Sequence, residues 1–319
     1  MKIVILDGKA LNPGDLSYDC ISQFGEVTLY QATDSQEEAI ARIGDSEIVL
    51  VNKVPMTEAV LDACPNIRLI CIQATGYNTV DCDACKKRGI VVTNVPSYGT
   101  AAVAQFTMAL ILELCHQIGL HNQSVHRGDW VRSEGFCYWL TPQSELAGKT
   151  LGIYGFGRIG QAVARLARAF GMDVLACSRR ETPEGQKLAR YVDLDTLLGQ
   201  SDILSLHCPL FPSTENLIRE ETIAKMKDGA ILINTARGGL VDEAALARAL
   251  TLGKLRGAAV DVVSREPMLP DNPLLTAPNC IITPHMAWAP VESRQRLLDC
   301  VVENIRCFLA GKPQNVVNP

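Results

Sequence analysis

The chain has 319 residues, 47% hydrophobic and 20% charged, with a net charge of −5, which is long enough for two ordinary domains with filled apolar cores. A sequence pI near 5.6 gives no basic footprint, so no nucleic-acid partner is expected. No apolar run approaches the roughly 18 residues that would predict a membrane span, so no membrane partner is expected either.

The first residues, "MKIVILDG", carry an apolar core too short for a signal peptide and predict a first strand. Further β-branched runs follow: "EVTLYQA", "EIVLVNK", "RLICIQAT" and "IVVTNVP". Their nearly continuous apolar character predicts strands buried on both faces of a parallel sheet. One long helical pattern extends from about Thr100 to Arg127, and the stretch from Gly128 to Ala147, with "FCYWL", reads as neither helix nor strand. A second group of strands is predicted at "TLGIYGF", "DVLACSR", "ILSLHCP", "AILINTA", "GAAVDVV" and "CIITPH". A final helix is predicted from about Pro290 to Ala310. Two cycles of alternating β and α elements predict an α/β protein with two doubly wound parallel-sheet domains. If the two long helices bridge the halves, residues 1–99 and 287–319 form one discontinuous domain, and residues 100–286 form a second one inserted into it.

The twelve cysteines lie mostly inside such runs, Cys71 in "LICIQAT" and Cys280 in "NCIITPH" among them, where cysteine packs as a small hydrophobe. Cys82 and Cys85 form a single CxxC with no second pair and no histidine at ligand spacing, so no metal is expected. A reducing cytoplasm is the expected compartment. His116, His121 and His126 recur every five residues and predict a solvated helix flank rather than a metal site, while His207 is expected to be structural or near an adenine.

The segment "GFGRIG" supplies Gly155, Gly157 and Gly160 in the pattern G-x-G-x-x-G, after one predicted strand and at the start of a helix. That context predicts a dinucleotide pyrophosphate on a helix N-terminus, with Arg158 and Ile159 in the same loop. About twenty residues on, where an acid would hold the ribose hydroxyls and repel a 2′-phosphate, the chain has Ser178, Arg179 and Arg180. Arginine can donate forked hydrogen bonds to that phosphate, so NADP(H) is favoured, with NAD(H) the alternative.

Three strongly polar residues lie at or beyond the ends of consecutive predicted strands: Arg237 after "ILINTA", Glu266 after "VDVVSR" and His285 after "CIITP". Arginine grips a carboxylate with two parallel hydrogen bonds. Histidine moves protons near neutral pH, and a neighbouring glutamate favours its charged form.

The motifs "INTARGGLVDEAAL", "VDVVSREP", "ITPHMAWAP" and "GFGRIG" resemble those of the D-isomer-specific 2-hydroxyacid dehydrogenases, in kind, order and spacing, across essentially the whole chain. Through "LDGKALNPGDLS", "QATGYNTVD", "FCYWLTP" and "HMAWA" it looks most like their glycerate dehydrogenase (hydroxypyruvate reductase) group. The resemblance implies a Rossmann dinucleotide-binding domain inserted into a flavodoxin-like substrate domain, a homodimer, and a small 2-keto or 2-hydroxy acid as substrate, with hydroxypyruvate or glyoxylate foremost. It implies that His285 exchanges the proton, Glu266 holds the imidazole, and Arg237 binds the substrate carboxylate opposite the amides of Thr75 and Gly76. Asp261 would meet the nicotinamide amide, and Cys208 and Pro209 would line the adenine side. Thr214, Thr235 and Ala236 complete the cofactor candidates. Trp139 would reach the neighbouring subunit's pocket, and Trp288 would shape the side-chain end of the substrate site. Two residues depart from the family pattern: Gln105, where many relatives have glutamate, and Ser178. The alternative from another class is a dinucleotide-sensing corepressor of the same fold, which would not need the three polar groups together.

Overall fold

The computed structural model describes residues 1–319. Two compact units are present, one of Met1–Gly99 with Ala289–Pro319 and one of Thr100–Trp288.

The first unit holds β1 (Lys2–Ile5), β2 (Glu26–Leu29), β3 (Ile48–Val51), β4 (Leu69–Ile72) and β5 (Val91–Thr93). They form a parallel sheet in the order β2-β1-β3-β4-β5, the flavodoxin arrangement. Period-two alternation sends Val49, Val51, Ile70, Ile72 and Val92 into one core with Ala39, Ile43, Val60, Leu61 and Cys85 from the helices. The returning helix Val291–Leu309 packs on β4, burying Leu297, Leu298, Val301 and Ile305. Helix starts are set locally. Ser35, Thr57 and Asp81 each accept the N–H of the third residue on, from Glu38, Val60 and Ala84, contributing about 1 kcal/mol apiece. The expectation of strands buried on both faces fails at β2, where Glu26, Thr28 and Leu29 are exposed; β2 is an edge strand, and its sequence shows its β propensity but not its position in the sheet.

The second unit holds β6 (Thr150–Tyr154), β7 (Asp173–Cys177), β8 (Arg190–Tyr191), β9 (Ile203–Leu206), β10 (Ala230–Asn234), β11 (Leu255–Val260) and β12 (Cys280–Ile282). Their order is β12-β11-β10-β9-β6-β7-β8, all parallel. The two-residue β8 is too short to show a period and is absent from the sequence reading. Ile231 and Ile233 face a core shared with helices Thr100–His116 and Arg158–Ala169, while Leu232 faces the opposite core with helix Glu243–Thr251. Strand order reverses between β6 and β9, which creates the crevice where such sheets take ligands.

The single long helix expected from Thr100 to Arg127 is two helices, Thr100–His116 and Ile118–His126, bent by 55°. Gln117 sits in the left-handed region at φ 47°, which interrupts the helical ladder, and neither piece is long and apolar enough to cross a membrane. His121 is not the solvated flank expected. Its Nε2 accepts the N–H of Leu140 at 2.9 Å and its Nδ1 lies 2.8 Å from the Gln117 carbonyl, so the ring fastens the irregular 128–147 segment.

Candidate active site

The glycine loop lies at the crevice. Gly155 has φ +93°, and a Cβ there would come within 2.6 Å of the Cys208 amide nitrogen, so only glycine lets the ends of β6 and β9 approach this closely. A Cβ on Gly160 would strike the Gly155 carbonyl oxygen at 2.4 Å, whereas at Gly157 it would meet nothing within 4 Å. Gly157 is also the N-cap of helix Arg158–Ala169 and supplies no capping side chain. Open space beside uncapped helical amides fits a dinucleotide pyrophosphate. Arg158 is exposed and Ile159 packs against the core beneath.

Around that loop, Ser178 is half-buried and Arg179 and Arg180 are exposed past the end of β7. Cys208 is buried and Pro209 exposed past β9. Thr214 turns inward: its hydroxyl accepts the Phe211 N–H at 2.8 Å and lies 3.0 Å from the Pro209 carbonyl it can donate to. Thr235 faces the Thr107 hydroxyl at 3.1 Å, and the Ala236 N–H donates to Asn234 Oδ1 at 3.0 Å.

His207 follows β9 with Nε2 2.9 Å from the Ser205 hydroxyl. Its Nδ1 is sealed from water without a partner, and burial holds the ring down to about 4, against 6.5 for free histidine. The unfolded chain therefore binds a proton that the folded chain refuses. This contribution is fully present above about pH 6.5 and is lost as pH falls toward about 4. His207→Gln should shrink the acid-induced loss of unfolding free energy by up to about 3 kcal/mol, read from denaturant titrations near neutral pH and near pH 4.5. An equal loss in both proteins would show that His207 does not set the acid limit.

The three polar residues follow three consecutive strands of one sheet, β10, β11 and β12. Arg237 follows β10, exposed, with Nη1 donating to the Ala236 carbonyl at 2.7 Å. Its backbone is set by fully buried Asn234, whose Nδ2 donates to the Arg237 carbonyl at 2.9 Å. His285 follows β12, and its Nδ1 lies 2.7 Å from Glu266 Oε2, with both side chains about one-third exposed. The other Glu266 oxygen accepts the Val263 N–H at 3.3 Å. The loop carrying Glu266 is anchored by Glu243, which accepts from the Ser264 N–H and hydroxyl and from Asn272 Nδ2 at 2.6, 2.9 and 2.8 Å.

His285 itself occupies the left-handed region at φ 52°, a conformation that costs a non-glycine residue about 1–2 kcal/mol. Asp261 offsets that cost. Its backbone carbonyl accepts the His285 N–H at 2.8 Å. Its carboxylate, 1% exposed, accepts from Thr283 Oγ1, Met286 N and Ala287 N at 2.6, 2.9 and 2.9 Å. The role visible for Asp261 is thus to hold the histidine turn. Trp288 joins the same turn through Nε1, which donates to the His285 carbonyl at 2.9 Å.

In the first unit, Thr75 and Gly76 lie beyond the end of β4. Thr75 donates its hydroxyl to the Val95 carbonyl at 2.7 Å, and its own carbonyl accepts from Asn94 at 2.8 Å. Trp139 lies 68% exposed on the 128–147 segment, alongside Phe136 at 90% and Val131 at 89%. Asn234 and Glu243 were missed in the sequence. Asn234 lies inside "INTARGG" and could have been suspected as a turn-former, whereas Glu243 gave no local signal.

The model for "D-isomer specific 2-hydroxyacid dehydrogenase, NAD binding domain" matches residues 108–287. The chain belongs to this dehydrogenase family. The dehydrogenase is 53% identical, over 100% of both chains, to a hydroxypyruvate reductase of Blautia hydrogenotrophica. It is 44% identical to a glycerate dehydrogenase of Methylorubrum extorquens, over 99% of this chain and 98% of that one. Among solved structures it is similar to an acyclic imino acid reductase in complex with NADPH and D-Arg, with a TM-score of 0.86, 32% identity and coverage of 99% and 100% of the two chains. The dehydrogenase is therefore an oxidoreductase that moves a hydride between a nicotinamide cofactor and a small 2-hydroxy or 2-keto acid. Nothing in these similarities supports the corepressor alternative.

Proposed function

We propose that the protein is an NADP(H)-favouring reductase of hydroxypyruvate, with glyoxylate the next-best substrate, and that Arg237, Glu266 and His285 carry the reaction. The observation that carries this reading is the 2.7 Å Glu266–His285 pair, from the segments after β11 and β12, in the same sheet as β10, which leads into Arg237. When bound, the nicotinamide supplies or accepts the hydride. Glu266 takes the Nδ1–H of His285 and fixes the ring, which leaves Nε2 to give a proton to the keto oxygen or to take it back. Arg237 holds the substrate carboxylate by two parallel hydrogen bonds, and its charge draws electron density from the adjoining carbonyl. The amides of Thr75 and Gly76 are assigned to substrate binding, the first unit being the proposed substrate domain and the second the dinucleotide domain. Gly155, Gly157, Arg158, Ile159 and Gly160 are assigned to the pyrophosphate, and Cys208, Pro209, Thr214, Thr235, Ala236 and Asp261 to the remaining cofactor surface. Trp288 is assigned to the end of the substrate away from its carboxylate. A panel of hydroxypyruvate, glyoxylate, pyruvate and a bulkier keto acid, followed by cofactor absorbance, tests the substrate, and a bulkier acid in first place would overturn this order.

Cofactor choice rests on residues 178 and 179. Ser178 carries no charge to repel a 2′-phosphate, and Arg179 is exposed at the same strand end. A charge-assisted hydrogen bond of about 1.5–3 kcal/mol corresponds to roughly 10- to 150-fold in affinity. NADPH should therefore exceed NADH in kcat/KM by about that ratio at one fixed keto-acid concentration, and Ser178→Asp with Arg179→Ala should reverse the order. A clear NADH preference in the unmodified protein would refute this assignment and leave the family assignment standing.

The exposed Val131, Phe136 and Trp139 support a homodimer in which this segment covers the partner and Trp139 reaches its pocket. All twelve cysteines are free thiols, which supports a reducing, cytoplasmic setting.

A further inference from the structure

We infer that Phe211 is a specificity-determining positioning residue, the platform on which Arg179 is held to receive the 2′-phosphate of the cofactor's adenosine. This inference rests on the cofactor reading above. The guanidinium carbon of Arg179 lies 5.2 Å from the centre of the Phe211 ring, within the range at which a cation is attracted to an aromatic face. Arg179 follows β7 and Phe211 follows β9, and β6 lies between those strands in the sheet. The pair therefore spans the end of the crevice beside the strand that leads into the glycine loop.

Phe211 serves no core. It keeps 41% of its surface on an exposed loop, yet its backbone is firmly held. Its N–H donates to the Thr214 hydroxyl at 2.8 Å, and its carbonyl accepts from the N–H groups of Thr214 and Glu215 at 2.9 and 3.0 Å. Thr214, read from the sequence as a cofactor contact, thus also acts through Phe211.

Two other arginines of this unit are engaged through their N–H groups. Arg168 donates to the Lys187 carbonyl, and Arg190 donates to the Gln200 side chain at 2.9 Å. The attraction of Arg179 to the Phe211 ring uses none of its N–H donors as hydrogen bonds. Its five N–H donors therefore remain for a phosphate, while the contact with the ring restricts the side chain's rotamers. A planar donor restrained in this way suits a phosphate ester better than a free side chain, because less conformational entropy is lost on binding.

The test is calorimetric binding of two fragments, 2′,5′-ADP, which carries the phosphate, and 5′-AMP, which lacks it. NADPH and NADH titrations read by nicotinamide fluorescence serve as the full-length counterparts. Phe211→Leu keeps bulk without a π face and should weaken 2′,5′-ADP and NADPH about two- to five-fold, leaving 5′-AMP and NADH unchanged. Phe211→Tyr should retain wild-type affinity, and in an Arg179→Ala background Phe211→Leu should add nothing. Equal weakening of both fragments would show that Phe211 seats the adenine and would overturn the inference, as would no change in either. If the unmodified protein binds 5′-AMP as tightly as 2′,5′-ADP, the cofactor reading fails first and this inference falls with it; tighter 2′,5′-ADP binding with an inert Phe211→Leu overturns the inference alone.

Discussion

Replacing His285 by alanine should lower kcat for keto-acid reduction by roughly 10²–10⁴ while leaving cofactor affinity nearly unchanged. His285 stands at the end of β12 with Nδ1 committed to Glu266 at 2.7 Å, so its other ring nitrogen is the group placed to exchange a proton. The glycine loop and the Ser178–Arg179 strand end lie on other strands, β6 and β7, and the substitution leaves them intact. A companion variant, Glu266→Gln, keeps a hydrogen-bonding side chain but removes the carboxylate that holds Nδ1, and kcat should fall by roughly 10-fold or more, the equivalent of one charge-assisted hydrogen bond of about 1.5–3 kcal/mol. An unchanged kcat in this variant would remove Glu266 from the mechanism, and a His285→Ala enzyme within a few-fold of wild type would remove His285.

Arg237→Lys should reduce kcat/KM by roughly 10- to 150-fold, the equivalent of one charge-assisted hydrogen bond of about 1.5–3 kcal/mol. Lysine keeps the charge but presents a compact ammonium in place of a planar fork. The turn itself should survive, because Asn234 holds it through the Arg237 carbonyl and the Ala236 N–H, and neither contact involves the side chain. Steady-state kinetics with hydroxypyruvate and, separately, a cofactor titration measure the effect. Wild-type efficiency in the lysine variant would show that the carboxylate is not held at two points by this residue.

The depth at which the site was legible differs from residue to residue. Arg237, Glu266 and His285 could be named because each follows an apolar β-branched run, and the ends of neighbouring parallel strands lie close together. The groups that hold them were not legible. The resemblance makes Asp261 a cofactor contact, and only the folded chain shows that its buried carboxylate also bonds Thr283, Met286 and Ala287. Glu243 opens a helix as any first-turn acid can, but it fastens the Glu266 loop through Ser264, 21 residues away. Both acids act through contacts between separate elements, which no local pattern encodes.

By itself the sequence determined the alternation of strands and helices, the glycine loop and the identity of the candidate reactive side chains. Those features depend on period-two burial, turn chemistry and the intrinsic donors and acceptors of single residues, all of which are local. The tertiary structure alone decided that β2 is a partly exposed edge and that the 100–127 helix breaks at Gln117. It also decided that His121 fastens a loop and that Arg179 lies over Phe211. Each of these depends on strand order or on the meeting of segments distant in the chain. Burial and partner choice there are set by what the folded chain brings alongside, and the residue type leaves them open.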